Sequence, residues 1–314
     1  MTATSTDTYD QIGIREDLVD MIWDVSPTET PFISNAPKTK AKQTYHEWQT
    51  DSLASVSNTT AIEGADASFA PAAASTRLGN YTEILTKTVI ISGTLEATDR
   101  AGRDREMAYQ EIKRGKEIKR DMESNVCGIN NAYAAGNATT RRESASYTTW
   151  CTTNTSNGAG AGADPTTIGS TAATDGTQRA FTETLLGTVI DSIFNSGGNP
   201  NIIMAGSFNK RALTGFSGNA DEVKHNNESQ KVINAVSMYV SDYGTLKVVP
   251  NRFSRSRDVL VYESSFWAIA MLRDMQSFDI AKVGDSSRKQ MLCEYTLEAR
   301  NEASSGIIRD LTTS

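Results

Sequence analysis

Few residues of this chain have the types and spacings that do chemistry. Its two histidines, His46 and His225, lie far apart and outside any HExxH frame, and no Cys/His cluster exists to hold zinc. The three cysteines, Cys127, Cys151 and Cys293, are odd in number and widely spaced, which is neither a disulfide framework nor a CxxC site and fits a reducing compartment. Cys127 falls on the flank of a helical stripe and Cys293 on an inward strand position, so both read as small buried hydrophobes. "GAGAG" at 158–162 has no strand before it and no helix after it, so it is not a dinucleotide fingerprint. The phosphate-binding loop of nucleotide hydrolases and the GxSxG elbow are both missing. Acidic residues are plentiful, but no pair stands out as acid and base. No enzyme and no cofactor are expected.

Charge is the next place to look. The formal net charge is −7 over 314 residues, which argues against holding DNA by affinity, since that needs a positive surface to displace counterions. Lys38, Lys40 and Lys42 share one side if their stretch is extended. They read either as the lysines that protect an edge strand or as a charged strip meeting acidic groups of another subunit. Arg252, Arg255 and Arg257 read as a solvated loop. The N-terminus shows no signal peptide, and the longest apolar run, "FWAIAML" at 266–272, is far short of a membrane span.

The elements around these residues are easier to read. Leu18, Met21, Ile22 and Val25 have helical spacing, and Pro27 and Pro31 stop that helix, after which the chain should run outward as an arm. "TYHEWQT" at 44–50 and "YTEILTKTVII" at 81–91 predict a long hairpin in which Tyr45 and Trp48 point to opposite sides and neither strand has a face to bury. Such a hairpin needs an external partner. Over 98–133, Ala108, Ile112, Gly115, Ile118, Met122, Val126, Ile129 and Tyr133 make one continuous stripe, predicting a helix roughly 50 Å long. Residues 134–180 turn to Ala, Gly, Thr, Ser and Asn and read as a loop, not a packed unit.

From 181 an α/β rhythm begins. Phe181, Leu185, Val189 and Ile193 mark a helix; "NIIMA" is a buried strand; "SFNKRALTGF" is a helix with Ser207 as its cap. "VINAVSMYV" reads as a strand covered on both sides, and "TLKVV" and "VLVY" extend the sheet. In the last strand Met291, Cys293, Tyr295, Leu297 and Ala299 face in, while Leu292, Glu294, Thr296, Glu298 and Arg300 mostly face out.

The order of these parts resembles the Hong Kong 97-type capsid fold. The wording of "SPTETPF" at 26–32, "TYHEWQTDSL" at 44–53 and "YTLEARNEASSGIIRDL" at 295–311 is similar to the SU-ten-like group of tailed-phage major capsid proteins. The resemblance covers most of residues 12–311 and is weakest at 134–180. It implies an α+β chain with an N-terminal arm at 1–38, an extended loop at 39–90, and a peripheral domain at 91–180 whose spine helix is 98–133. An α/β axial domain follows at 181–287, and a strand at 288–314 returns to the peripheral domain.

The resemblance also implies a virion shell subunit, assembled in the host bacterial cytoplasm. Its partners would be other copies as pentamers and hexamers, a portal at one vertex, and separate scaffolding or decoration proteins where these are used. Packaged double-stranded DNA would be enclosed without sequence-specific binding, and no membrane is involved. Too few residues precede the first helix for a scaffolding region. Lys38, Lys40, Lys42, Tyr45 and Trp48 would lie on a neighbouring subunit. The alternatives are an encapsulin-like compartment, an α/β enzyme without a recognisable motif, and a fibre, which the long charged helix and lack of repeats disfavour.

Overall fold

A computed structural model describes residues 26–54, 56–67, 69, 72, 74–98, 105–216 and 238–314. The first expected helix, His225, and the 232–237 part of "VINAVSMYV" lie outside these residues.

Three sheets organise the described residues. The first has four strands in the order β1 (Lys38–Lys40), β10 (Trp267–Ile280), β11 (Ser286–Ala299), β4 (Glu83–Ser92). The second has six: β5 (Thr155–Ser156), β12 (Gly306–Ile308), β9 (Val259–Tyr262), β6 (Ile202–Ala205), β8 (Gly244–Pro250), β7 (Met238–Ser241). The third is the hairpin of β2 (Tyr45–Thr50) and β3 (Thr76–Tyr81). The chain crosses from the six-stranded to the four-stranded sheet near Phe266, so strand pairing divides it earlier than the expected boundary at 287.

The hairpin pairs Tyr45 with Tyr81 and Thr50 with Thr76. Its second strand is therefore not 81–91. That stretch is β4, which runs antiparallel to β11 from Glu83↔Tyr295 to Ser92↔Ser286. Leu78 supplies the apolar contact on β3, and Gly79 lets the Tyr45 ring lie against the strand, where a Cβ would sit 2.7 Å from that ring.

Helix α3 (Glu106–Glu123) continues as a π-helical turn, Ser124–Gly128. It is shorter than expected at both ends that can be described. On the N-terminal side Gly93–Ala97 is a separate helix, α2, capped by the Ser92 hydroxyl accepting from Leu95 N. On the C-terminal side the stripe continues in sequence, but Gly128 packs so close to the Phe253 carbonyl that a Cβ would lie 2.3 Å from it, and the backbone turns extended at Ile129. Ile118, Met122 and Val126 are buried as the stripe predicts, whereas Ile112 is 64% exposed.

The segment 134–180 is corrected most. Its short helix α4 (Tyr147–Trp150) is buried throughout, and Tyr147, Trp150 and Cys151 are part of the same core as Phe32, Ile118, Trp267 and Tyr295. Tyr147 stacks on Trp267 at 4.3 Å. β5 from this segment forms an edge of the six-stranded sheet, parallel to β12. The segment packs because two aromatic residues in a polar run suffice to anchor it, and its polar remainder is pinned by charged groups described below.

Helix α1 (Pro31–Asn35) is likewise not part of a free arm. Phe32 is fully buried beside Tyr147, Tyr262 and Trp267, and β1 pairs in parallel with β10, Lys38 opposite Ile269. In the second layer, helix α5 (Glu183–Asn195) buries Leu186, Val189, Ile190 and Ile193 against the six-stranded sheet. Helix α6 (Ser207–Thr214) starts with Ser207 as its first residue and Gly206 as its cap, so Ser207 is not the cap. β7 is an edge strand with Tyr239 buried and Met238 and Val240 exposed, covered on one side only.

Candidate functional site

The five residues expected to meet another subunit fall into two groups. Tyr45 and Trp48 find partners within their own chain. Tyr45 packs on Tyr81 at 4.5 Å and Tyr133 at 6.2 Å, and Trp48 packs on Trp150 at 5.2 Å. The expectation that the hairpin has no face to bury is thereby corrected at its root: one partner, Trp150, comes from a segment that shows no strand or helix periodicity, and the other, Tyr133, is the last residue of the expected helical stripe. Burial raises the Tyr45 hydroxyl above its usual range, helped by the neighbouring Tyr133. The Asn80 amide fixes the same root, donating to the Leu297 carbonyl at 2.8 Å and accepting from Ala145 N at 2.9 Å.

Lys38, Lys40 and Lys42 are exposed. They stand on and just beyond the three-residue edge strand β1, while Thr39 between them turns inward and donates to Glu298 at 2.9 Å. This leaves a strip of three cations along an open sheet edge. His46 meets the same Glu298 carboxylate at 3.1 Å, and Arg300 donates to its other oxygen at 3.0 Å. Burial alone would raise the Glu298 carboxyl, but the bonds from His46, Arg300 and Thr39 overcome it and bring it down to about 2.

Past its root the hairpin changes character. Residues 51–67 are exposed wherever described, and they carry Leu53 at 98%, Val56 at 104% and Ile62 at 84% exposure, with Phe69 following at 95%. Large apolar side chains fully in water across one loop are what a surface awaiting a partner shows.

Inside the fold, charged groups replace what periodicity would supply. The outer face of β11 is not solvent-facing: Glu294, Thr296 and Glu298 are buried. Glu294 accepts from Arg142 at 2.5 Å, Arg273 at 2.8 Å and Thr82 at 2.9 Å. Asp310, at φ 60°, accepts from Gly158 N at 2.9 Å, Gly176 N at 2.8 Å and Arg257 at 2.7 Å. The glycine run thus cradles an anion after all, but the anion is the chain's own carboxylate. Arg309, also buried, binds Asp164 and the carbonyls of Thr148 and Cys151. Arg255 and Arg257 both bind Asp175, so they are clamps and not a solvated loop; Arg252 alone is exposed. These residues were not legible as a site, and the one available hint was "RD" at 309–310 directly after the apolar "GII".

The thiols are shut away. Burial pushes Cys293 up to about 12 and raises Cys127 and Cys151 as well. No group of metal-binding side chains occurs among the described residues.

Over residues 1–312 the sequence matches the SU10 major capsid protein family. The chain belongs to that family. A major capsid protein of Escherichia phage Phieco32 is 27% identical, with 96% of this chain and 95% of the relative covered. Among solved structures, the Cyanophage A-1(L) capsid asymmetric unit aligns with a TM-score of 0.64 at 14% identity, covering 98% of each chain. The capsid of a native GTA particle, computed with C5 symmetry, aligns with a TM-score of 0.62 at 11% identity, covering 95% of this chain and 96% of that one. The fold is the Hong Kong 97-type α+β fold of phage capsids. As a family member the chain is a major capsid protein of a tailed-phage head, a structural component of the virion.

Proposed function

We propose that copies of this chain close an icosahedral shell as pentamers and hexamers in which the exposed hairpin loop of each subunit lies on a neighbour. The observation that carries this reading is the loop itself: four large apolar side chains, Leu53, Val56, Ile62 and Phe69, stand in water on a hairpin whose root is packed firmly on its own subunit. A closed shell supplies a covering surface to every copy. In this arrangement the four-stranded sheet with α3 is the peripheral domain, and the six-stranded sheet with α5 and α6 is the axial domain, gathered around the symmetry axes. The strip of Lys38, Lys40 and Lys42 faces acidic groups of an adjacent subunit.

The shell encloses double-stranded DNA without reading its sequence, as the net charge of −7 suits a container and not a binder. A portal occupies one vertex, scaffolding and decoration proteins are separate chains where used, and assembly takes place in the bacterial cytoplasm. Negative-stain electron microscopy of the protein expressed alone and pelleted tests the reading. Closed shells or rings of five and six subunits are expected. Monomers that persist when the products of neighbouring genes are added would overturn it.

A further inference from the structure

The sequence holds a single Asn–Gly pair, Asn157–Gly158, and a single Asp–Gly pair, Asp175–Gly176. At such pairs a backbone rearranges most readily without an enzyme, because glycine puts no side chain in the way of its own nitrogen. That nitrogen loses its proton and attacks Cγ of the residue before it. An N–Cγ bond forms, and ammonia leaves from asparagine, or water from a protonated aspartic acid. The resulting succinimide then takes up water and opens to aspartate or isoaspartate.

Both glycine nitrogens donate to one buried carboxylate: Gly158 N to Asp310 Oδ2 at 2.9 Å, and Gly176 N to Asp310 Oδ1 at 2.8 Å. Among the described residues Asp310 is the one non-glycine with a positive φ. The chain thus accepts an uncommon backbone at the residue that gathers the two nitrogens. The groups under attack are held as well. Asn157 Oδ1 accepts from Arg309 at 3.2 Å. Asp175 Oδ2 accepts from Arg255, and from Arg257 at 3.0 Å. The Arg255 bond lowers the Asp175 carboxyl below its usual range, so little of it is in the protonated form that can lose water. Arg257 also donates to Asp310 Oδ1 at 2.7 Å, which keeps the shared acceptor charged.

Removing the proton from an amide that already points at a carboxylate sets two negative charges side by side, which resists ionisation. Attack on Cγ must also give up a charge-assisted hydrogen bond. We propose that Asp310 is a protective positioning residue: by holding both glycine nitrogens it keeps Asn157 and Asp175 from closing to succinimides. The device suits a virion component, which is not replaced once built, and it acts within one subunit whatever its neighbours do.

The test ages the full-length chain at near-neutral pH, in native buffer and in urea, and follows both sites by mass spectrometry. They share one tryptic peptide, 143–179, in which deamidation changes the mass and isoaspartate is recognised by its fragmentation. Both reactions should run about tenfold slower or more in the native chain than in urea, the factor that one charge-assisted hydrogen bond is worth. Asp310→Asn, whose neutral side chain also tolerates a positive φ, should bring both toward the urea rate. Glu123→Gln, which removes a buried carboxylate elsewhere, should bring neither. Unchanged rates in Asp310→Asn, or equal acceleration by Glu123→Gln, would overturn the proposal. So would a native rate above that in urea which falls in Asp310→Asn, since Asp310 would then be the base that takes the glycine proton. Should Asp310→Asn not fold, the exposed Asp175→Asn places a second Asn–Gly bond on the same carboxylate. That bond should stay slow in the native chain, and reaction at the urea rate would show that Asp310 does not protect it.

Discussion

Glu123 Oε1 accepts the amide of Phe32 at 2.8 Å across ninety-one positions of sequence. Its other oxygen accepts from Ile33 N at 3.0 Å, and Asn251 donates to Oε1 at 2.6 Å. One buried carboxylate at the end of α3 therefore ties the start of α1 to the loop after β8, joining the two large sheets through a single side chain. What looked in sequence like the root of an arm is held in the centre of the molecule.

Glu123→Ala leaves three buried donors without an acceptor and should destabilise the subunit by about 3–5 kcal/mol in urea unfolding. Glu123→Gln keeps one acceptor oxygen and should cost less. Burial raises the Glu123 carboxyl, opposed by the two amides and Asn251. With a folded value above the unfolded one, its stabilising contribution is fully present below about pH 4.3 and is lost as pH rises through the folded value. The glutamine variant should lack that dependence; equal slopes in the two proteins would show that Glu123 does not titrate in this way.

Glu298 should behave in the opposite sense. With its carboxyl brought down to about 2, its contribution is present above about pH 4.3 and disappears as pH falls toward 2. Thermal unfolding from pH 5 to pH 2 should therefore show an acid loss of up to about 3 kcal/mol that is reduced in Glu298→Gln. An identical acid limb in the variant would assign the loss to other carboxylates.

The contrast between these two carboxylates shows what the sequence could and could not convey. The inner face of β11, from Met291 to Ala299, was legible because period-two alternation is a local property. So were the helix over Phe181–Ile193, whose buried face is turned by about one residue, and the strands at Ile202 and Val259. The outer face of β11 is not legible, because Glu294 and Glu298 look solvent-facing until Arg142, Arg273 and His46 arrive from distant segments. The sequence makes α3 look too long because Ile129 and Tyr133 extend its stripe, while the contact that ends it, Gly128 against the Phe253 carbonyl, spans 125 positions and leaves no periodic trace. Lys38 and Lys40 do stand on an extended edge strand, with Lys42 just beyond it, but the packing of Tyr45 and Trp48 depends on Tyr133, which ends the helical stripe, and on Trp150, which lies in a stretch that composition marks as loop.

The glycine cradle around Asp310 yields a paired prediction. A Cβ at Gly158 would stand 2.3 Å from the Thr177 carbonyl and 2.6 Å from Asp310 Cβ, with backbone on one side that cannot yield cheaply. Gly158→Ala should lower stability by about 2–4 kcal/mol. Gly187, inside α5, has nothing within 4 Å of its Cβ position, so Gly187→Ala should raise stability by about 0.5–1 kcal/mol through helix propensity. Melting temperatures that move in the same direction for both would contradict the cradle.

Trp48 lies 5.2 Å from Trp150 at 46°, and beside it His46 holds Glu298. Trp48→Ala removes the ring and should cost the root about 2 kcal/mol. Trp48→Phe should keep most of the contact. Because the loss is local, global unfolding should shift little, whereas tryptic cleavage after Arg77, paired opposite Gln49 in the hairpin, should accelerate clearly in the unassembled subunit. If a neighbour covers the loop in shells, the acceleration should shrink there. If Trp48→Ala is cut at the wild-type rate before assembly, the root is held by His46, Tyr45 and Asn80 without it. If cleavage rises equally in subunits and shells, the hairpin is not covered by a neighbour at all.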